Sequence, residues 1–440
     1  MVSFKFLPPT PYFGVILKTF PCLTLSIILL LSLTLIGNIR VDFVQAYEGA
    51  SGIISADTTW TKANSPYNLT GNLLLDKGVT LAIESGVTVN LGSYYIRVNG
   101  TLIAKGTDTD KIRFNGRSAG IQFTLSSTCW NGQTNSGSII ENSILDSGLL
   151  IDGGSPLISK NTINKEITIT GGSSIISKNT ITGHNVGAAW RSDTYGIFIE
   201  KDNAAFIVDN TISGFFSAAA IQIGNNCSST ILRNRISNEY DYGSTPEEIT
   251  GYNIAAVLIY QANSAHPLIE HNTITKSAIG MSISGSSNAV IRQNNILENS
   301  YNLHLSLGTK SNIVATNNWW GTTDTAVIDQ KIYDYNDDFN LGKVNYTPFL
   351  TSANPQAVPD PNAPIPTPNI SPTETTSSAP TTSASPFPSQ NPTTSPDLSG
   401  SQAGAFFGLD WVQFATLSLL AVVVVLLVVV VVFLRKRSVK

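Results

Sequence analysis

Two carboxylates and three aromatic-rich connections are the parts of this sequence whose residue types and spacing could do chemistry. Asp152 and Glu200 each follow an alternating apolar pair, Leu149/Ile151 and Ile197/Ile199. If those pairs are equivalent strands of stacked repeats, the carboxylates share one outward column two repeats apart. At ~4.8 Å per step that is roughly 9–10 Å, the upper edge of the separation at which an acid and a base flank a water in inverting glycoside hydrolysis. The bland alternative is that Asp152 opens a turn and Glu200 pairs with Lys201 or water. A second group sits on enlarged connections at residues 182–195, 213–219 and 237–255, which stacking would bring side by side. They carry His184, Trp190, Arg191, Asp193 and Tyr195, then Phe215 and Phe216, then Glu239, Tyr240, Asp241, Tyr242, Glu247, Glu248 and Tyr252. Rings flanked by acids and amides suit sugar faces and hydroxyls, whereas packing of the same rings against the body is the alternative. Asp334, Asp337 and Asp338 could bind calcium or simply form a solvated turn. Histidines at 184, 266, 271 and 304 have no metal-ligand spacing, and three cysteines are too few for a zinc cluster, so no cofactor is expected.

The elements that must position these residues are legible as a repeat. A pattern of aliphatic-x-x-Asn-x-aliphatic or aromatic centres on Asn142, Asn161, Asn179, Asn210, Asn234, Asn272, Asn294 and Asn317. Upstream lie alternating pairs such as Ile167/Ile169, Ile221/Ile223, Val257/Ile259, Met281/Ile283 and Leu303/Leu305. Period-two apolar residues mean short strands with one buried face. Such short units cannot bury a core alone and must stack, which makes the chain all-β and places the asparagines at one corner as a hydrogen-bonded ladder. Each ladder asparagine is expected to take the left-handed conformation of the turn. Residues 50–123 continue the alternation, giving about ten coils in all. Cys129 and Cys227 then lie four steps apart, about 19 Å, and should not be bridged because a disulfide needs Cα atoms within about 7 Å.

The opening GIISADTTWTKANSPYNLTGNLLLDKGVTLAIESGVTVNL and the closing NNWWGTTDTAVIDQKIYDYNDDFNLGKVNYTPFL frame this repeat. With them, the stretch 50–350 resembles right-handed parallel β-helix proteins of the pectin-lyase-like class found on archaeal and bacterial surfaces, with repeats also seen in NosD-like proteins. The resemblance implies a single-stranded right-handed parallel β-helix and is nearly silent on activity, since that fold hosts lyases, hydrolases, epimerases and adhesins. Lyases of the class need a basic residue and a cation cluster, and its hydrolases carry Asn-Thr-Asp, Asp-Asp, Gly-His-Gly and Arg-x-Lys motifs. This chain offers Asp337-Asp338 and Gly183-His184-Asn185 instead, so it is expected to bind rather than cleave. In the closing segment, spanning 317–350, Trp319 is expected to plug the last coil. A helix over 324–333 should place Ala326, Val327, Gln330 and Ile332 near one face.

The ends set location. Residues 23–36 are apolar after Lys5 and Lys18 and precede Val44-Gln45-Ala46, so 1–46 reads as a secretory signal or an uncleaved N-terminal anchor. Residues 414–434 form an apolar run about 30 Å long as a helix, within a membrane segment read as 411–434, and the basic tail 435–440 places the C-terminus in the cytoplasm. Between body (47–350) and membrane, residues 351–410 are rich in Pro, Ser and Thr and read as a disordered stalk. Sequons at Asn68, Asn99, Asn226, Asn345 and Asn369 fit an exported glycoprotein. A net charge of −4 with 13% charged residues argues against nucleic acid. The expected function is a single-pass, membrane-anchored extracellular module that binds glycan or cell-surface polymer. The alternatives are a glycoside hydrolase-like enzyme using Asp152 and Glu200, and a purely structural envelope or adhesion protein.

Overall fold

The computed structural model describes residues 49–183, 195–200, 203–215, 219–238, 255–260, 265–306 and 308–366, without the side chains of 117–119. Both expected terminal segments, 1–46 and 411–434, lie outside the described residues. No helix among the described residues is long and apolar enough to cross a membrane.

The described chain is nearly all-β, with long parallel sheets and almost no helix, consistent with a parallel β-helix. Each repeat supplies three short strands, and every strand pairs in parallel with its counterpart one repeat on. One row, called here the middle row, runs through Leu157–Ser159, Ile175–Ser177, Phe206–Val208, Thr230–Leu232, Leu268–Glu270 and Val290–Arg292. A second follows the asparagine corner through Thr180–Thr182, Thr211–Ser213, Arg235–Ser237, Thr273–Thr275 and Asn295–Leu297. The third, called here the cleft row, passes through Ile167–Ile169, Ile197–Ile199, Ile221–Ile223, Ala255–Ile259, Ile279–Ile283 and Tyr301–Leu305. Because side chains alternate, each strand sends its apolar residues into one continuous core. Ile158, Ile176, Ile207 and Ile231 stack from the middle row, with Ile181, Ile212, Ile236 and Ile274 from the second, all fully buried. At about 1.5–3 kcal/mol per buried aliphatic side chain, these stacks dominate stability.

The asparagine ladder is shifted from the sequence pattern at both ends. Its rungs are Asn161, Asn179, Asn210, Asn234, Asn272, Asn294 and Asn318. Asn210 shows the wiring: its Oδ1 accepts from the Asn179 backbone N–H at 2.9 Å and Nδ2 at 3.0 Å, while its own Nδ2 donates to Ile176 O at 2.8 Å and to Asn234 Oδ1 at 3.0 Å. Asn142 and Asn317 are not rungs. They occupy the preceding left-handed position, with φ of 48° and 58°, beside Lys160, Lys178, Asp209, Arg233, His271 and Gln293 in the other coils. Ser143 stands at the rung position of the first of these coils, where its N–H donates to Asn161 Oδ1. The turn therefore divides the two tasks assigned above to one residue. One residue takes the left-handed backbone at a cost of about 1–2 kcal/mol, and the next, buried asparagine closes the hydrogen bonds that hold it there.

The same one-residue shift corrects the closing segment. Trp320, not Trp319, enters the core, at 3% exposed. The helix covers only Thr325–Asp329, capped by the Asp324 side chain, and buries Ile328 while Val327 stays exposed. The expected stalk reading of 351–410 does not hold for its first sixteen residues. Residues 351–366 lie docked against the body, where Ala357 is fully buried and Asn354 is 9% exposed. The external face of the middle row carries an apolar stripe of Ile139, Leu157 and Ile175, covered by Trp130 and touched by Ile365.

Candidate functional site

The outward residues of the cleft row stack in register as Leu150, Thr168, Phe198, Gln222, Leu258, Ser282, His304 and Tyr333. From Leu150 to His304 none is Lys or Arg. Outward positions of a sheet are ordinarily wet, yet this column becomes drier along the solenoid. Phe198 is half-buried, whereas Leu258 is 2%, Ser282 1% and His304 5% exposed. The floor beside it is a separate apolar cluster of Ala219, Ala255, Leu258, Ala278 and Ile279, with Tyr195, Tyr260 and Tyr301 packed around it.

Two aromatic groups stand on this floor. Tyr195 stacks on Phe198 with centroids 5.0 Å apart and planes 21° apart. Burial, then the Glu166 carboxylate and Tyr260, push the Tyr195 hydroxyl above its usual range. Glu166 in turn accepts the Thr168 hydroxyl at 2.6 Å. Further along, His304 stacks on Tyr333 at 4.7 Å, and Tyr301 meets both edge-on. Burial lowers the His304 pKa to about 4, so the ring is neutral at pH 7, and its Nδ1 has no hydrogen-bond partner among the described residues. Ser282 and Ser306 share a hydroxyl contact of 3.0 Å in the neighbouring columns.

Of the loop residues expected to bind, Tyr195 joins this site. Phe215 does not, because it is 2% exposed within the main core, where it closes the space over Gly183 and Gly196. His184, Trp190, Arg191, Asp193, Phe216, Tyr240, Asp241, Tyr242 and Tyr252 lie outside the described residues. Asp152 and Glu200 do fall in one column, through Thr170. The Thr170 hydroxyl, however, stands between them and donates to Asp152 at 2.9 Å, filling the gap that an attacking water would need. The calcium reading of the closing segment meets a similar objection. Both oxygens of Asp334 accept backbone N–H groups, from Asn336 and Val344, while Asp337 caps Asp334 N–H and Asp338 caps Asn340. These carboxylates fold the turn rather than converge, and no group of three or more His, Cys, Asp or Glu among the described residues could hold a metal ion.

Glu166 is the residue that the sequence reading missed. It sits immediately before the Ile167/Ile169 pair, and only the packing of Tyr195 from the next coil makes it part of a site. Comparison of the chain with family models, with curated proteins and with solved structures finds no match.

Proposed function

We propose that this chain is a right-handed parallel β-helix of the pectin-lyase-like kind, exported, anchored through residues 411–434, and that its cleft row binds glycan or cell-surface polymer. The observation that carries the reading is the stacked Tyr195–Phe198 pair beside Glu166 on an alanine-rich floor. Flat rings next to a carboxylate and hydroxyls offer a sugar both an apolar face to cover and acceptors for its hydroxyls. The lack of Lys and Arg from Leu150 to His304 favours neutral or cationic chains over polyuronates at this stretch of the column, where their carboxylates would meet Glu166, Asp152 and Glu200. A hydrolase reading through Asp152 and Glu200 is disfavoured by Thr170 in the gap.

The test is a screen of the full chain against immobilised polysaccharides, with Tyr195→Ala/Phe198→Ala beside the wild type. Binding that falls at least tenfold, with thermal unfolding nearly unchanged, supports the site. Undiminished binding by the double variant places any glycan elsewhere. Release of reducing ends from a bound polysaccharide would move the reading to an enzyme.

A further inference from the structure

Residues 351–366 run back from the closing segment along the asparagine corner. Asn354 and Asn295 exchange two hydrogen bonds, at 2.8 and 2.9 Å, and Asn354 Nδ2 donates to Gln293 O at 2.6 Å. The Thr273 hydroxyl donates to Ala357 O. Asp360 N–H donates at 2.9 Å to Asp209 Oδ1, on the carboxylate that also holds the Arg233 guanidinium at 2.8 and 2.9 Å. Lys178 Nζ donates to Pro361 O at 2.8 Å and to Ala363 O at 2.6 Å, and Ile365 then reaches the apolar stripe. The coils holding these contacts follow the register Asn295, Thr273, Arg235, Thr211, Thr180. That is four parallel steps, or about 19 Å.

Left-handed residues of the ladder turn do part of the docking, Lys178 and Asp209 through their side chains and Gln293 through its carbonyl, with Thr273 and Asn295 on the adjoining strands doing the rest. Five of the sixteen docked residues are proline. Proline has no N–H, so this segment cannot add to a sheet, and it is held by a few separate side-chain contacts instead of a ladder. Each contact can break without the next. Unstacking a coil, by contrast, breaks three parallel strand pairings, an asparagine rung and a layer of buried isoleucine together. The docked segment is therefore the part of the body that yields first when the chain is drawn from residue 366. The corner it follows joins the middle and second rows and is the one corner that does not border the cleft row.

We propose that residues 351–366 are a releasable strap, which gives up length under load before any force reaches the last coils. The source of that load rests on the tethered, ligand-binding reading above. Pulled from 366, contacts open in the order Ile365, Lys178, Asp209, Thr273, Asn295, freeing about 50 Å of extended chain.

The experiment is single-molecule stretching of the full chain, held at a C-terminal tag and at the exposed Cys129, with Cys22→Ser leaving one accessible attachment thiol. The expected result is a reversible lengthening of more than about 50 Å at a force below that of body unfolding, because the freed chain adds to the six steps, ~29 Å, of solenoid between the Cys129 coil and the last middle-row strand. In Lys178→Asn/Ile365→Ser, the asparagine tolerates the left-handed turn but cannot reach the strap. The step should then fall to lower force while the unfolding force stays unchanged. A single unfolding event with no preceding step, or a step unmoved in the double variant, overturns the strap. Recovery of the full chain only in the soluble fraction of its cells would defeat the anchored reading and leave the stretching result standing, so the two failures are told apart.

Discussion

A single asparagine at the ladder corner satisfies groups on a neighbouring coil as well as its own. Asn318 is fully buried, its Oδ1 accepts the Asn294 backbone N–H and Nδ2, and its Nδ2 donates to Ile291 O and Ala315 O. Its neighbour Asn317 contributes mainly a backbone conformation, with φ 58°. Glycine should therefore be tolerated at 317 within about 1 kcal/mol. At 318 it should cost about 3–5 kcal/mol, because several buried donors and acceptors lose their partners together. Denaturant unfolding of Asn317→Gly and Asn318→Gly checks this, and equal losses would contradict the ladder register. His304 makes a second prediction. Its folded pKa is lowered to about 4 from 6.5, so between those values the unfolded chain binds the proton that the folded chain refuses. Stability contributed by the neutral ring is then intact above pH 6.5, declines as pH falls toward 4, and levels off below. The full loss is about 3 kcal/mol. His304→Phe should flatten the dependence of unfolding free energy on pH in that window, and an unaltered slope would count against a buried neutral ring.

At the scale of elements, the strands sort residues by register and the connections between them decide access. Cys227 lies fully buried among core residues at a corner, and its thiol contacts the carbonyls of Glu200 and Asn225. Cys129 lies exposed on the connection between the strands Ile112–Thr124 and Ile139–Glu141, beside the Trp130 ring that covers the external stripe. Neither cysteine is in a disulfide, as the coil spacing requires. Alkylation of the native, non-reduced protein should label Cys129 fully and Cys227 only after denaturation, read by mass spectrometry of the peptides. A linked Cys129–Cys227 peptide would mean that the coil order is wrong. The short closing helix shows how an element can be displaced from its pattern. Asp324 caps it, yet the chain turns out of helix after Asp329, so Ile328 and Ile332 are buried in place of a longer face through Val327.

For the molecule as a whole, what the sequence by itself determined was the repeating core. Period-two alternation and a recurring Ile-x-x-Asn-x-Ile unit leave a short strand one way to bury its apolar face, and every such isoleucine from Ile158 to Ile296 is inside. Strand rows, the outward column of the cleft row and the separation of the two cysteines follow from the same arithmetic. Ladder ends were misplaced by one residue because Asn142 carries the asparagine of the pattern while Ser143 holds the rung, and because Asn317 and Asn318 both fit, so that only pairing with the neighbouring coil chooses. Tertiary structure alone decided the rest. Glu166 becomes a site residue because Tyr195 arrives from another coil, and Phe215 ceases to be one because it packs inward. Thr170 separates Asp152 from Glu200 by standing in the coil between them. The proline-rich stretch after residue 350 has the composition of a free stalk. Its first sixteen residues dock because Lys178, Asp209 and Asn295, up to 185 residues away in the chain, meet their carbonyls and N–H groups along one corner. Periodicity is a local signal and survives in the sequence, whereas contacts between coils depend on which side chains the stacking brings face to face.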